Sequence, residues 1–219
     1  MHAPAHLRSP GALRWPGVCA YCGRPGPDSV DHVVPRCLYP AGTAPAEYLT
    51  VPCHIACNRA FSKAEPGFKE DVSAAGANEA AAATRRSVLR NFARPQGRAR
   101  GIRMLARLEN GRIFPIRNPD TVRTIRKIVR GLAFFHGLLL AVREDDVPVA
   151  HTRFEIPPAF LPEARIREVR HADVFACLGF VVEDLDVEPA PDDMHSFWRL
   201  RFYDRVRFDA WIRSTTARP

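Results

Sequence analysis

Cysteine and histidine residues near the N-terminus have the spacing of a zinc site. Cys19 and Cys22 are separated by two residues, which is the spacing of a zinc knuckle. A second ligand pair follows later in the chain, and it is either His54 with Cys57 or Cys53 with Cys57. Tetrahedral zinc in a closed structural site needs four ligands, and either choice supplies them. We favour His54, because its two-residue separation from Cys57 repeats the knuckle spacing.

An Asp-His pair lies between these two groups of ligands. Asp31 and His32 follow Val30 and precede Val33-Val34-Pro35, so they lie on or beside a short strand. Neighbouring residues on a strand point to opposite faces. Asp31 and His32 can therefore serve one site together only where the strand ends or bends.

The order Cys-x2-Cys, Asp-His-Val-Val-Pro and His-x2-Cys-Asn resembles the HNH nuclease family over residues 18–63. That family has a ββα-metal core inside a zinc-bound treble clef. The resemblance implies that His32 is the general base that activates water. It implies that Asp31 and Asn58 hold a catalytic divalent cation, Mg²⁺ or alternatively Mn²⁺. It also implies a purely structural zinc ion on Cys19, Cys22, His54 and Cys57.

Hydrolysis of a phosphodiester bond suits these residue types. A neutral imidazole near pH 7 can accept a proton from water. One hard cation with oxygen ligands can bridge the phosphate and the leaving oxygen. The expected function is therefore a metal-dependent HNH-type endonuclease, with double-stranded DNA as its expected partner. Arg59 and Lys63 follow on the same predicted helix and are candidate phosphate contacts, the alternative being a solvated helix face.

One position departs from the family pattern. HNH proteins often have a central asparagine on the second strand, which braces the loop that carries the base. Residues 46–50 read Ala-Glu-Tyr-Leu-Thr instead, so Glu47 and Tyr48 are the candidate substitutes. The alternative function is therefore a catalytically inactive, zinc-stabilised nucleic-acid-binding protein. A third is a regulatory protein that presents a basic surface to a protein partner.

Positive charge is concentrated in the middle of the chain. The formal net charge is +8 and the pI is near 9.6, which favours an anionic partner. Residues 85–130 contain 14 basic and 2 acidic residues, a net charge of +12. Of the 32 basic residues in the chain only Lys63, Lys69 and Lys127 are lysines, and arginine suits bidentate contact with phosphate. The basic segment is thus the predicted region of nucleic-acid contact.

The expected fold class is α+β, in three parts. A flexible leader covers residues 1–17, the zinc-bound ββα-metal unit covers residues 18–70, and a body of helices and antiparallel strands covers residues 71–219. The Ala-rich stretch over residues 78–92 and the amphipathic stretch over residues 121–139 predict helices.

Strand patterns complete the expected body. Residues 149–156 predict a strand, and Asn110-Gly111 predicts a hairpin turn between two strands. Between residues 198 and 208 apolar side chains alternate with arginines, which predicts a strand with one buried face, interrupted by a bulge or turn at Asp204.

Composition excludes several classes of protein. Hydrophobic residues make up 46% and charged residues 26%, which is not the composition of a disordered chain, a collagen or a coiled-coil rod. Apolar runs fall short of the ~18 residues of a membrane span. Six cysteines are too few for a disulfide scaffold in a chain of 219 residues. We therefore expect a cytoplasmic protein with reduced thiols.

Overall fold

The computed structural model describes residues 5–6, 10–43, 45–151, 167–171, 173–181 and 194–213. The fold is α+β, as expected. The helices are Pro10–Arg14 (α1), Ile55–Ser62 (α2), Glu65–Ala75 (α3), Glu79–Phe92 (α4), Pro95–Leu105 (α5) and Pro119–Phe135 (α6). The strands are Ala5–His6 (β1), Ser29–His32 (β2), Glu47–Tyr48 (β3), Thr50–Cys53 (β4), Val149–His151 (β5), Arg167–His171 (β6), Phe175–Val181 (β7), Met194–Phe202 (β8) and Val206–Arg213 (β9).

The cysteine-bearing part of the chain consists of a tight turn, a pair of strands and a helix. Gly23 has a φ of +70°, which a glycine adopts without steric cost, and its N–H donates to the Cys19 carbonyl at 2.9 Å to close the turn. Strands β2 and β4 pair antiparallel, with Asp31 opposite Val51. Helix α2 begins directly after β4. This is the ββα order that the family resemblance implies.

The expected leader is partly built into the fold. Trp15 packs on Phe134 of α6 with ring centroids 5.6 Å apart, and the Arg14 guanidinium donates to the Gly137 carbonyl at 2.7 Å. Gly11 leaves no room for a Cβ against the backbone of Phe134. These contacts hold residues 10–15 of the expected leader against α6 and the turn that follows it.

Helices α3 to α6 follow α2. Asn78 caps α4 by accepting a hydrogen bond from the Ala81 N–H, which fits the predicted helix over residues 78–92. The turn at Asn110-Gly111 is present, with φ values of 50° and 71°. The strand predicted before it was wrong, because residues 95–105 form helix α5 and the turn is flanked only by an isolated bridge between Glu109 and Arg112.

A five-stranded antiparallel sheet forms the C-terminal part, in the order β5-β9-β8-β7-β6. The predicted alternation is confirmed, since Trp198, Leu200 and Phe208 are fully buried while the arginines between them are not. Asp204 lies in the turn between β8 and β9, with a φ of 64°. Of the strand predicted over residues 149–156, Val149–His151 is present, and residues 152–156 lie outside the described residues.

One continuous core joins all of these parts. It runs from Cys19 and Leu38 through Phe68 and Ile128 to Trp198. The boundary expected between residues 70 and 71 falls inside helix α3, and the core cluster includes residues from both sides of it. None of the described helices has the length and apolar character needed to cross a membrane.

Candidate metal centre and nucleic-acid surface

Four predicted zinc ligands lie together. The ligand atoms of Cys19, Cys22, His54 and Cys57 are all within 4.8 Å of one another. Zinc–sulfur bonds of about 2.3 Å place the atoms of a tetrahedral site about 3.8 Å apart, so this cluster has the size of a closed structural site. The four residues could therefore hold a metal ion such as zinc, which would tie the knuckle turn to the start of α2.

His54, and not Cys53, completes the four-residue cluster. Its Nδ1 atom lies 3.3 Å from Sγ of Cys22, and its Nε2 atom lies 3.1 Å from the Pro25 carbonyl oxygen. A histidine that binds metal through one ring nitrogen commonly donates the other N–H to such a partner. Cys53 is buried outside the cluster, and burial raises the pKa of its thiol to about 12. Between the two ligand choices, the geometry selects His54.

The thiols of the cluster differ in pKa. Partial burial acts to raise the pKa of Cys22, but hydrogen bonds with Arg24, Cys19 and His54 outweigh it and lower the pKa to about 6. Burial and the neighbouring thiol of Cys19 raise the pKa of Cys57 to about 12. Because metal binds thiolates, loading of the site would release protons, chiefly from the thiols with the higher pKa.

Asp31 does not fit its expected role as a ligand of a catalytic cation. Its side chain is buried, and its Oδ2 atom accepts a 2.5 Å hydrogen bond from the Tyr21 hydroxyl. The same Oδ2 atom lies 2.9 Å from Nζ of Lys127, which is itself fully buried. This carboxylate is thus neutralised by the protein, and no hydrolytic step through a Mg²⁺ ion on Asp31 follows from the structure.

The side chains of His32 and Asn58 take no part in the ion pair between Asp31 and Lys127. The His32 ring is half-buried and meets the Tyr48 ring edge-on, with centroids 4.9 Å apart. Tyr48 was one of the two candidate substitutes for the missing asparagine. Asn58 is half-buried on α2, and no hydrogen bond links its side chain to Asp31 or His32 in the described part of the chain. The structure therefore does not gather Asp31, His32 and Asn58 into one hydrogen-bonded group.

Both predicted phosphate contacts are on the surface. Arg59 and Lys63 are exposed on and just after α2. Lys63 lines a cavity of about 200 Å³ together with Arg103 of the basic segment. The residue that follows α2 therefore adjoins the basic segment at this point.

Several basic residues of the basic segment, residues 85–130, form ion pairs or hydrogen bonds within the protein. Arg100 pairs with Glu70, and Arg107 pairs with Asp71 at 2.6 Å. Burial raises the pKa of Glu70 and of Asp71, and the two arginines act against that rise. Further members of the segment that bond to described acidic groups or carbonyls are Arg85, Arg117, Arg123, Arg126, Lys127 and Arg130.

Five exposed arginines on α4, on α5 and between the two helices have no such partner. We call these residues the arginine surface: Arg86, Arg90, Arg94, Arg98 and Arg103. All five side chains are exposed, and none has a hydrogen bond or ion pair with another described residue. Arg86 and Arg90 lie one turn apart on the same face of α4. Large apolar side chains on the same two helices are also exposed, namely Leu89, Ile102 and Leu105.

The residues that sequence reasoning missed are those around Asp31. Tyr21, Glu65 and Lys127 carry no motif, and the helical pattern of α6 assigned Lys127 to a basic face. The only sign of a special role for Lys127 was in the composition, because it is a lysine in a chain whose other basic residues are nearly all arginines.

No model of a known protein family, no curated protein and no solved structure matches this chain.

Proposed function

We propose that this protein binds nucleic acid through the arginine surface, with the zinc-bearing ββα unit as its scaffold. The observation that carries the proposal is a group of five exposed arginines, all within residues 86–103, without acidic partners among the described residues. Guanidinium groups without acidic partners attract an anionic polymer, and arginine matches phosphate bidentately. Lys63 lines a cavity together with Arg103 of this group.

The distribution of acidic residues supports an anionic partner. Within residues 85–130 the two acidic side chains are Glu109 and Asp120, and Glu109 is paired with Arg117. Asp120 lines the cavity that Arg103 and Lys63 share, and no acidic side chain among the described residues pairs with a member of the arginine surface. Large apolar side chains on α4 and α5, such as Ile102, which is 67% exposed, are also available for contact with a macromolecule.

The zinc ion has a structural role in this proposal. His54 and Cys57 lie at the start of α2, and Lys63 directly follows that helix. A metal that joins the knuckle to α2 would fix where Lys63 stands relative to α5. In this proposal zinc positions Lys63 relative to α5 and takes no part in catalysis.

A binding experiment at several salt concentrations tests the proposal. Fluorescence anisotropy with a short DNA duplex should show binding that weakens steeply with added NaCl. Replacing both Arg86→Gln and Arg90→Gln should weaken binding and make the slope of log K against log [salt] shallower by up to about 2, since each phosphate contact contributes about 0.9.

A matched control removes the same charge elsewhere. Arg143→Gln with Arg205→Gln also removes two exposed arginines, but neither belongs to the arginine surface. This variant should keep most of the affinity and the slope of the wild type. Equal losses in the two variants would reject the arginine surface as the binding site. No binding of DNA or RNA at low salt would reject the proposal as a whole and favour a protein partner.

A second candidate function is hydrolysis of the bound nucleic acid with His32 as the general base. The edge-on contact between His32 and Tyr48 supports it, because the ring can hold the imidazole in place where the family asparagine is missing. The test is plasmid nicking with added Mg²⁺ or Mn²⁺. Nicking that is lost in His32→Ala, with zinc content and fold retained, would establish this function, and nicking unchanged in that variant would exclude His32 as the base.

A further inference from the structure

A fully buried ammonium group lies in a cradle of three oxygen atoms. Nζ of Lys127 lies 2.6 Å from the His32 carbonyl oxygen, 2.9 Å from Asp31 Oδ2 and 3.0 Å from Glu65 Oε1. An ammonium group has three N–H donors, so the three oxygens satisfy it completely. Its side chain has no exposed surface.

The cradle has the composition of a site for a hard cation. Two carboxylates and one backbone carbonyl, contributed by β2 and the first residue of α3, are the kinds of oxygen ligand that bind Mg²⁺ or Ca²⁺ in proteins. The Tyr21 hydroxyl donates to Asp31 as well, which adds a fourth stabilising contact. Without Lys127, the two carboxylates would lie near each other with no positive partner at this point.

We propose that the Lys127 ammonium is a built-in cation that occupies this cradle in place of the divalent ion that the HNH resemblance implies for Asp31. The cradle is thus a latent metal site that is closed by a side chain of α6. This inference is independent of nucleic-acid binding, since none of its residues belongs to the arginine surface.

The type of side chain supports the proposal. A lysine is a compact point charge on a flexible stem, whereas the planar guanidinium of an arginine is too wide for three oxygens that converge within 3.0 Å of one atom. The chain uses arginine for nearly all of its positive charge, and yet it has a lysine here.

Burial excludes a hydrated ion. Asp31 is 4% exposed, and neighbours of Lys127 on α6 such as Ile128 are fully buried. Mg²⁺ in proteins normally keeps several water molecules, for which a packed interior has no room. Burial acts to lower the pKa of Lys127, but the charges of Asp31 and Glu65 outweigh it and hold the pKa above its usual value, so the group stays charged.

Removal of the ammonium should open the site to a metal. In Lys127→Ala the cradle keeps its oxygens and gains the volume of the lost side chain. Mn²⁺, monitored by its electron paramagnetic resonance signal, should bind the variant at least tenfold more tightly than the wild type. Adding Asp31→Asn to the variant should abolish this gain. Arg130→Ala, a buried change one turn along α6, should produce no gain.

The wild type provides a measurement that does not depend on the folding of Lys127→Ala. Mn²⁺ titrations of the wild type and of Asp31→Asn should coincide, because Asp31 is already occupied. Tighter binding by the wild type than by Asp31→Asn would overturn the proposal. A folded Lys127→Ala that binds Mn²⁺ no better than the wild type would also overturn it.

Discussion

The hydroxyl group of Tyr203 donates a 2.6 Å hydrogen bond to the backbone carbonyl oxygen of Leu38. Tyr203 lies in the turn between β8 and β9, and Leu38 lies in the long connection from β2 to β3. The bond therefore links the C-terminal sheet directly to the segment between β2 and β3. Thr84 of α4 lies 3.3 Å from the same hydroxyl, so three regions of the chain meet at one buried group.

Tyr203→Phe should destabilise the protein by about 1–2 kcal/mol. The substitution keeps the ring and removes one buried hydrogen bond, and a buried carbonyl that loses a partner costs about this much. Urea unfolding followed by circular dichroism measures the change. Tyr48→Phe is the control, because the Tyr48 hydroxyl has no hydrogen bond to a described residue, and it should stay within about 0.5 kcal/mol of the wild type. Similar losses in both variants would contradict this account.

Loss of one zinc ligand should abolish metal binding, whereas loss of the adjacent cysteine should not. Cys57→Ser removes a member of the four-residue cluster, so purified protein should contain much less than one zinc per chain and should unfold more readily. Cys53→Ala changes a buried thiol outside the cluster and should retain the zinc. Elemental analysis by plasma mass spectrometry measures both. A Cys53→Ala protein without zinc would show that the choice of His54 is wrong.

Asp31 and Lys127 should behave as a coupled pair in a double-mutant cycle. Lys127→Met should lower the free energy of unfolding by about 3–5 kcal/mol, because it leaves the Asp31 carboxylate buried without its positive partner. Asp31→Asn combined with Lys127→Met should lower the free energy of unfolding by less than the sum of the two single changes. Lys63→Met, at an exposed lysine, should change the unfolding free energy by no more than about 0.5 kcal/mol. Additive costs for Asp31 and Lys127 would mean that the pair is not coupled.

Local patterns predicted the elements whose causes are local. The Cys-x2-Cys turn, the Ala-rich helix over residues 78–92 and the alternation around Trp198 each depend on residues a few positions apart, and each is present. The strand expected before Asn110-Gly111 is absent, because the turn residues do not determine the structure of the segment before them. The Asn-Gly turn is real, but Pro95 begins a helix that ends at Leu105, so no strand reaches the turn.

Contacts between distant parts of the chain were beyond any local pattern. On a helical wheel Lys127 belongs with the arginines of α6, and only the packing of α6 against β2 and α3 turns it inward. The same packing buries Asp31, so a dipeptide that resembles a catalytic motif becomes part of an ion-paired core. Charge counts likewise could not separate the arginines that hold buried acids, such as Arg107, from those of the arginine surface.

The protein should lose stability as the pH falls from about 6.5 toward about 4 because of His136. Burial, with a smaller contribution from the nearby charge of Arg167, lowers the pKa of His136 from 6.5 to about 4. Its ring stacks on Trp198 at 5.9 Å, and its buried Nε2 atom has no hydrogen-bond partner among the described residues. The unfolded chain therefore binds a proton at His136 in this pH window and the folded chain does not, so stability falls as the pH decreases.

His136→Gln isolates this contribution, because glutamine does not titrate. Glu70 and Asp71, whose pKa values are raised by burial, act in the opposite direction at lower pH, and so the comparison must be made between proteins at each pH. Thermal unfolding between pH 7 and pH 4.5 should show a smaller loss of stability for His136→Gln than for the wild type. His151→Gln, at an exposed histidine, should follow the wild type. Parallel curves for the wild type and His136→Gln would show that the folded protein accepts a proton at His136 as readily as the unfolded chain.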